Sequence, residues 1–207
     1  MSSFRMGATP VTWGMWKEYC KANSVRMPGA PEWGWSDNHP VVAVSWSDIK
    51  DPGGFCEWVS GVAGFKLTLP TQAQWEYAAR GGKDGLEYPW GNDFDRSKLW
   101  CAETIGKGVG TAAVDRTDRI YRNGYGLTDM VGNVDQWCAD YYDPDYRPAG
   151  KDPVDTRQSE YRCIRGGSWN SWLLDEYLCA SRNGLYSDAG HSGGNLSSGF
   201  RLSAGQK

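Results

Sequence analysis

Six cysteines, at positions 20, 56, 101, 138, 163 and 179, and two histidines, His39 and His191, are the side chains with which this 207-residue chain could hold a soft metal or run nucleophilic chemistry. Their spacing supports neither. No two cysteines form a CxxC pair, and two imidazoles cannot complete a zinc cluster of ordinary spacing. No Ser or Cys is accompanied by a recognisable base and acid, so His191 reads as one surface residue among several rather than a general base. The cysteines read as small buried hydrophobes; a disulfide would require export, and its connectivity cannot be taken from spacing. Asn195-Leu196-Ser197 has the form of a glycosylation sequon, a three-residue match of low specificity.

The composition between Trp169 and Gly199 suggests recognition. Its 29 residues include six Ser, four Gly, three Asn and two Tyr, with no Lys, Gln, Met or Pro. Binding loops use this mixture because Tyr gives rigid amphipathic contact area while Ser, Gly and Asn give adaptable hydrogen bonds. An irregular surface loop favours the same small polar residues, so composition alone leaves both readings open.

Such a segment needs a scaffold, and the rest of the chain describes one. Twelve Trp, eleven Tyr and 27 Gly point to many turns anchored by bulky aromatic groups. Thr12 precedes Trp13, Trp16 and Cys20 at helical spacing. Asn23 to Asn38 reads as loop, Val41 to Val44 as a short buried strand, and Ser45 as a cap. Asp51-Pro52-Gly53-Gly54 should interrupt the helix running toward Cys56 and Trp58. Thr71 and Gln74 form a capping box before Trp75, Ala78 and Ala79, with Gly81 suited to the left-handed step beyond the helix end. Residues 83 to 126 read as irregular, and short strands are expected at Val134–Trp137, Arg162–Arg165 and Phe200–Leu202. Trp75, Trp90, Trp137 and Trp169 should be largely buried.

The net charge of −3, pI about 5.4 and scattered Lys and Arg argue against nucleic acid. Val41–Val44, the longest aliphatic run, falls far short of the roughly 20 residues of a membrane helix, so no membrane insertion is expected. The start, Met1-Ser2-Ser3-Phe4-Arg5, has no apolar signal region; the compartment stays open, with a virion or cell surface suiting a display role.

A series of motifs in order carries a family resemblance: Pro10-Val11-Thr12, His39-Pro40-Val41, Val44-Ser45-Trp46, Leu69-Pro70-Thr71, Tyr77-Ala78-Ala79-Arg80-Gly81-Gly82, Tyr88-Pro89-Trp90-Gly91-Asn92, Gly126-Leu127, Asp129-Met130-Val131-Gly132-Asn133-Val134, Arg165-Gly166-Gly167-Ser168-Trp169 and Gly199-Phe200-Arg201. Together they resemble the formylglycine-generating enzyme (sulfatase-modifying factor) domain, a branch of the C-type lectin-like fold. The resemblance implies an α+β fold class, with short helices on small antiparallel sheets and much irregular chain. The absence of internal repeats and of a low-complexity linker points to a single domain over 1–207, and the resemblance implies a variable ligand-binding region at 170–198.

Within that superfamily the resemblance implies different functions for different branches. The formylglycine-generating enzymes hold copper with two cysteines separated by four residues, just after Arg-Gly-Gly-Ser; the matching positions here are Ser171 and Glu176, and neither replaces a thiolate. The ergothioneine-pathway sulfoxide synthases hold iron with three histidines, and this chain has two. The variable proteins of diversity-generating retroelements display residues between Gly-Gly-Ser-Trp and Gly-Phe-Arg anchors, and both anchors are present. Adenine rewriting of an Asn codon reaches Ser, Tyr, Gly, Asp, His and Leu but not Glu or Trp, so Trp172 and Glu176 come from other codons or from scaffold positions.

The expectation is therefore a non-catalytic, retroelement-diversified display protein. Its exposed contact residues would be Asn170, Ser171, Trp172, Asp175, Tyr177, Ser181, Asn183, Leu185, Tyr186, His191 and Asn195, with Ala180 and Arg182 as scaffold. A mixture of aromatic and small polar groups suits a protein or cell-surface ligand; the oligomeric state is left open. The alternatives are a formylglycine-generating oxidoreductase relative with an untypical site and an invariant structural lectin-like module. No cofactor is expected. Calcium has one weak candidate site, Asp129, Gly132, Val134 and Gln136, where Gln136 stands in place of the family's carboxylate; at a second family site Lys107 replaces the Asp and would repel a cation.

Overall fold

Thr12 turns extended backbone into the first helix, α1 (Trp13–Asn23): its hydroxyl accepts from the Met15 amide, and Trp13, Trp16, Tyr19 and Cys20 fall on the buried face. The computed structural model describes residues 1–101, 110–117, 121–189 and 195–205. Ser45 with Asp48, and Thr71 with Gln74, build reciprocal capping boxes that start α2 (Trp46–Lys50) and α4 (Gln72–Ala79). Between them Asp51 to Gly54 separates α2 from α3 (Phe55–Ala63), as the turn residues there predict. Gly81 takes φ 60°, one residue beyond the helical Arg80 that closes α4.

The strands are β1 (Phe4–Met6), β2 (Asp135–Tyr141), β3 (Tyr161–Arg165), β4 (Asn183–Tyr186), β5 (Ser198–Gly199) and β6 (Ser203–Gly205). β1 and β6 form an antiparallel pair, and the larger sheet runs β4-β3-β2-β5. Its β4-β3 and β3-β2 pairings are antiparallel, but β5 lies parallel to β2, a departure from the purely antiparallel expectation. Between Trp137 and Tyr141 the β2-β3 register slips, bending β2.

Two expected strands are corrected. Val41 to Val44 is fully buried but unpaired as a ladder, because Val41 N–H donates to Val11, Ala43 N–H donates to Asn195, and Ala43 turns the backbone with φ 58°. Phe200 to Leu202 is the gap between β5 and β6. The carbonyls of Phe200 and Leu202 serve Val11 and Gly7, while Arg201 points inward.

Two aromatic clusters meet at β2 and β3. In one, Trp16 stacks on Phe55 with centroids 5.3 Å apart, and Phe200 stands edge-on to both. The other gathers Trp75, Leu99, Met130 and Tyr177 with Cys101, Cys138, Cys163 and Cys179. All six cysteines are buried thiols. Trp75 and Trp137 are fully buried, whereas Trp90 and Trp169 keep part of their surface.

Arg201 ties the clusters together from inside. Its Nε donates to Gln136 Oε1 at 2.6 Å, Nη1 to the Gly7 carbonyl, and Nη2 to the carbonyls of Thr128 and Asp129. Gln136 Oε1 also accepts from Trp75 Nε1 at 2.8 Å. Burial lowers the Arg201 pKa to about 10, still leaving it charged at neutral pH.

Candidate functional site

The segment leaving β3 turns at Gly166 and Gly167, whose φ values of 102° and 64° place them where side chains rarely go. A Cβ on Gly166 would sit 2.6 Å from the Met130 carbonyl oxygen, and one on Gly167 would sit 2.9 Å from the Tyr177 ring. Glycine at 167 leaves room for the Tyr177 ring beneath the turn, and glycine at 166 lets the backbone pass the Met130 carbonyl and the Trp75 ring. Tyr177 then donates its hydroxyl to the carbonyls of Ser168 (3.1 Å) and Ser171 (2.8 Å), while Ser171 Oγ accepts from the Ser168 amide. Buried Arg165 holds the following stretch by donating to the carbonyls of Cys179 and Ser181 and pairing with Glu76. Trp169 closes the other side: its indole N–H donates to the Leu196 carbonyl, and its ring meets Trp33 edge-on.

This clamp sorts the expected contact residues. Asn170, Trp172, Asp175, Asn183 and Tyr186 are exposed. Tyr177 is not: at 1% exposure it is a core residue, and its expectation as a surface contact is corrected. Ser171, Ser181, Leu185 and Asn195 are half-buried rather than exposed. Ser171 belongs to the hydroxyl clasp, the Ser181 carbonyl serves Arg165, and Leu185 packs against the first aromatic cluster. Asn195 Oδ1 accepts from the amides of Ser197 and Ser198, holding the return to β5. His191 lies outside the described residues, as does Lys107.

Arg182 is scaffold, as expected, donating to the carbonyls of Asp143, Pro144 and Tyr146. Ala180, assigned to the same role, is exposed. Sequence reasoning missed Leu173 and Leu174, which with Trp172 form an exposed apolar run, Leu173 at 62%. Two adjacent leucines in an otherwise small and polar segment were the available signal. Tyr161 was missed too; it packs on Tyr186 with centroids 4.3 Å apart across the exposed β3-β4 edge.

At the thiol positions of the enzyme branch stand Ser171 and Glu176. Ser171 Oγ is engaged within its turn, and half-buried Glu176 stands beside Asp135. Burial, followed by the Glu176 charge, pushes the Asp135 pKa up to about 7; the Ser168 hydroxyl and Gly167 amide oppose the rise. Cys179 is the one thiol of the segment, fully buried, its pKa pushed by burial to about 12. Neither a hydroxyl nor a carboxylate is the soft, electron-donating pair that copper requires, so the residues present do not fit that metal. Among the described residues no group of three or more His, Cys, Asp or Glu is placed to hold a metal ion.

The calcium candidate fails on the same kind of test. Both Asp129 carboxylate oxygens accept from Arg116, at 2.7 and 3.0 Å, and Asn133 also donates to Oδ2. Gln136 directs its amide nitrogen at the Asp129 carbonyl and gives its oxygen to Arg201 and Trp75. The Gly132 carbonyl accepts from Val134 N–H. Two guanidinium groups supply the positive charge here, and the oxygens a calcium ion would need already face donors.

A family model described as the sulfatase-modifying factor enzyme 1-like domain matches residues 1–204. Among curated relatives, the formylglycine-generating enzyme of Streptomyces coelicolor is 37% identical over 176 residues, covering 79% of this chain and 52% of that protein. The serine/threonine-protein kinase pkn1 of Chlamydia pneumoniae is 37% identical over 149 residues, covering 70% of this chain and 21% of the kinase. The chain thus spans about half of the first relative and about a fifth of the second. Among solved structures, Treponema denticola variable protein 1 superimposes with TM-score 0.75 at 23% identity, covering 98% of this chain and 84% of that one. That likeness shows the C-type lectin-like fold.

Proposed function

The chain belongs to the sulfatase-modifying factor enzyme 1-like family, and from that premise we propose that it is a non-catalytic display domain, diversified by a retroelement, that binds a protein or cell-surface ligand through side chains of residues 170–198. The observation that carries this reading is the exposed run Trp172-Leu173-Leu174 on a backbone pinned by buried Arg165 and Tyr177. Large apolar side chains left in water on a rigid support characterise binding surfaces. The described Asn170, Asp175, Asn183 and Tyr186 add polar and aromatic contacts, and His191 is proposed with them on sequence grounds.

The identity to a formylglycine-generating enzyme favours catalysis as a second reading; Ser171 and Glu176 in the thiol positions weigh against it. Incubation with copper, a thiol reductant and a sulfatase-type cysteine peptide separates the two: no formylglycine is expected, and its appearance would overturn the proposal. The diversification claim has its own test in genomic DNA. A reverse transcriptase beside a near-copy of codons 165 to 201 differing only at adenines is the expected finding; identical segments in many related genomes would point to an invariant module. No metal enters the proposal, so adding calcium or a chelator should move the melting temperature by no more than about 1 °C.

A further inference from the structure

A cavity opens between α4, the chain leaving β2 and the residues just before β4. It encloses about 300 Å³, room for a molecule of roughly ten non-hydrogen atoms. None of the exposed display residues lines it, so a ligand bound there would be independent of the display reading.

Its wall is unequal in charge. Arg80, Arg165 and Arg182 face it with one carboxylate, Glu76. That carboxylate is shared: Oε1 accepts from Arg80 at 2.6 Å and Oε2 from Arg165 at 3.1 Å. Arg182 forms no ion pair among the described residues, and its donors meet only neutral carbonyl oxygens. Nearby carboxylates do not redress this. Asp140, behind Gln72, is held by the Gln72 amide and side chain and by the Asp155 amide, while Asp143 and Asp155 pair with Arg157.

Two buried polar atoms of wall residues lack partners, Arg165 Nε and Tyr146 Oη, and Arg165 itself is 4% exposed. Both atoms are closed off from the cavity, so an anion bound there would meet the charge of the arginines and the outward N–H groups of Arg80 rather than these two donors. The remaining wall is mostly aromatic and apolar, with Tyr77, Tyr146 and Pro148 and the two alanines beside the amide of Gln72. Arg80 also serves the Leu86 carbonyl, so the donors left over suit one negative charge better than a dianion.

We propose that this cavity is a binding site for a small organic carboxylate, its anionic head on the arginine wall and its flat apolar body against Tyr77, Tyr146 and Pro148. Benzoate is the probe and benzamide its neutral counterpart, titrated into the full chain while alanine methyl resonances are followed by NMR. The methyls of Ala73 and Ala180, which line the cavity, should shift with benzoate, with at least tenfold weaker binding of benzamide and weakening as salt is raised. Arg80→Gln should reduce benzoate affinity at least about fivefold. Equal binding of benzamide, shifts confined to other alanines, or displacement of benzoate by equimolar phosphate would each overturn the assignment. Should Arg80→Gln fail to fold, the contrast between benzoate and benzamide on the unaltered chain decides alone.

Discussion

Arg201 and Trp172 belong to the two ends of the same segment, one in its closing anchor and the other just past its opening turn, yet they meet opposite surroundings. Arg201 has no exposed surface, and its guanidinium donates to Gln136, Gly7, Thr128 and Asp129, drawing the amino terminus, the 128–129 turn and β2 onto one group. Trp172 is 55% exposed, and its indole N–H donates to no protein group among the described residues. What differs is where the interactions of each residue end: inside the molecule for one, in water for the other. A fold arranged this way can change the second residue without touching the network that holds the first.

The sharpest way to break that comparison is at the anchor. Arg201→Met leaves Gln136 Oε1 and three buried carbonyls short of a donor, and unfolding in urea should show a loss of about 3–5 kcal/mol. A loss below about 1 kcal/mol would mean that the segment is held by something other than this network. Tyr177→Phe comes next. It keeps the ring beneath Gly167 but removes the donor shared by the carbonyls of Ser168 and Ser171, for an expected loss of about 1–3 kcal/mol in the same experiment.

Tyr177 also shows where sequence reasoning stops. The helix starts were legible because a capping box is local: Thr71 and Gln74 are three residues apart and bond each other's backbone. The Arg-Gly-Gly-Ser-Trp turn was legible as a motif, and Trp75 and Trp137 as core. Tyr177 was not, since its burial depends on Gly167, ten residues upstream, whose missing Cβ makes room for its ring. Val41 to Val44 was misread for a related reason. An apolar run reports burial, whereas a strand requires one partner along its length, and here the donors go to Val11 and Asn195 instead. The exposure of Leu173 and Leu174 runs against their hydrophobicity, and neither belongs to the two aromatic clusters.

Between anchor and surface stands Asp135, whose carboxyl faces Glu176, the Ser168 hydroxyl and the Gly167 amide. Its pKa is raised by burial to about 7, above the unfolded value near 4. A carboxyl shifted in this direction contributes stability below the unfolded value, and that contribution is lost as pH rises through the folded one. Relative to Asp135→Asn, the unaltered chain should therefore lose about 1–2 kcal/mol between about pH 4 and pH 8, the residue's remaining exposure keeping the loss small. A gain over that range, measured by urea unfolding at each pH, would show that the carboxylate is stabilised rather than desolvated.

The smallest expected effect on folding is the one on which the display reading depends. Trp172→Ala removes a side chain with more than half of its surface in water, no aromatic partner and no hydrogen bond from its indole among the described residues. Less than half of its surface is withdrawn from water on folding, so the loss of stability should stay under about 2 kcal/mol, well below that of Arg201→Met. The same holds for Leu173→Ser, at 62% exposure. Recognition should respond in the opposite proportion, because a large aromatic group at the centre of an interface carries a disproportionate share of its energy. Capture of a host-surface ligand by the double variant, measured beside its melting curve, is expected to be lost while the curve stays in place. A collapse of the melting curve with either substitution would instead place this run in the core, and the contrast with Arg201 would disappear.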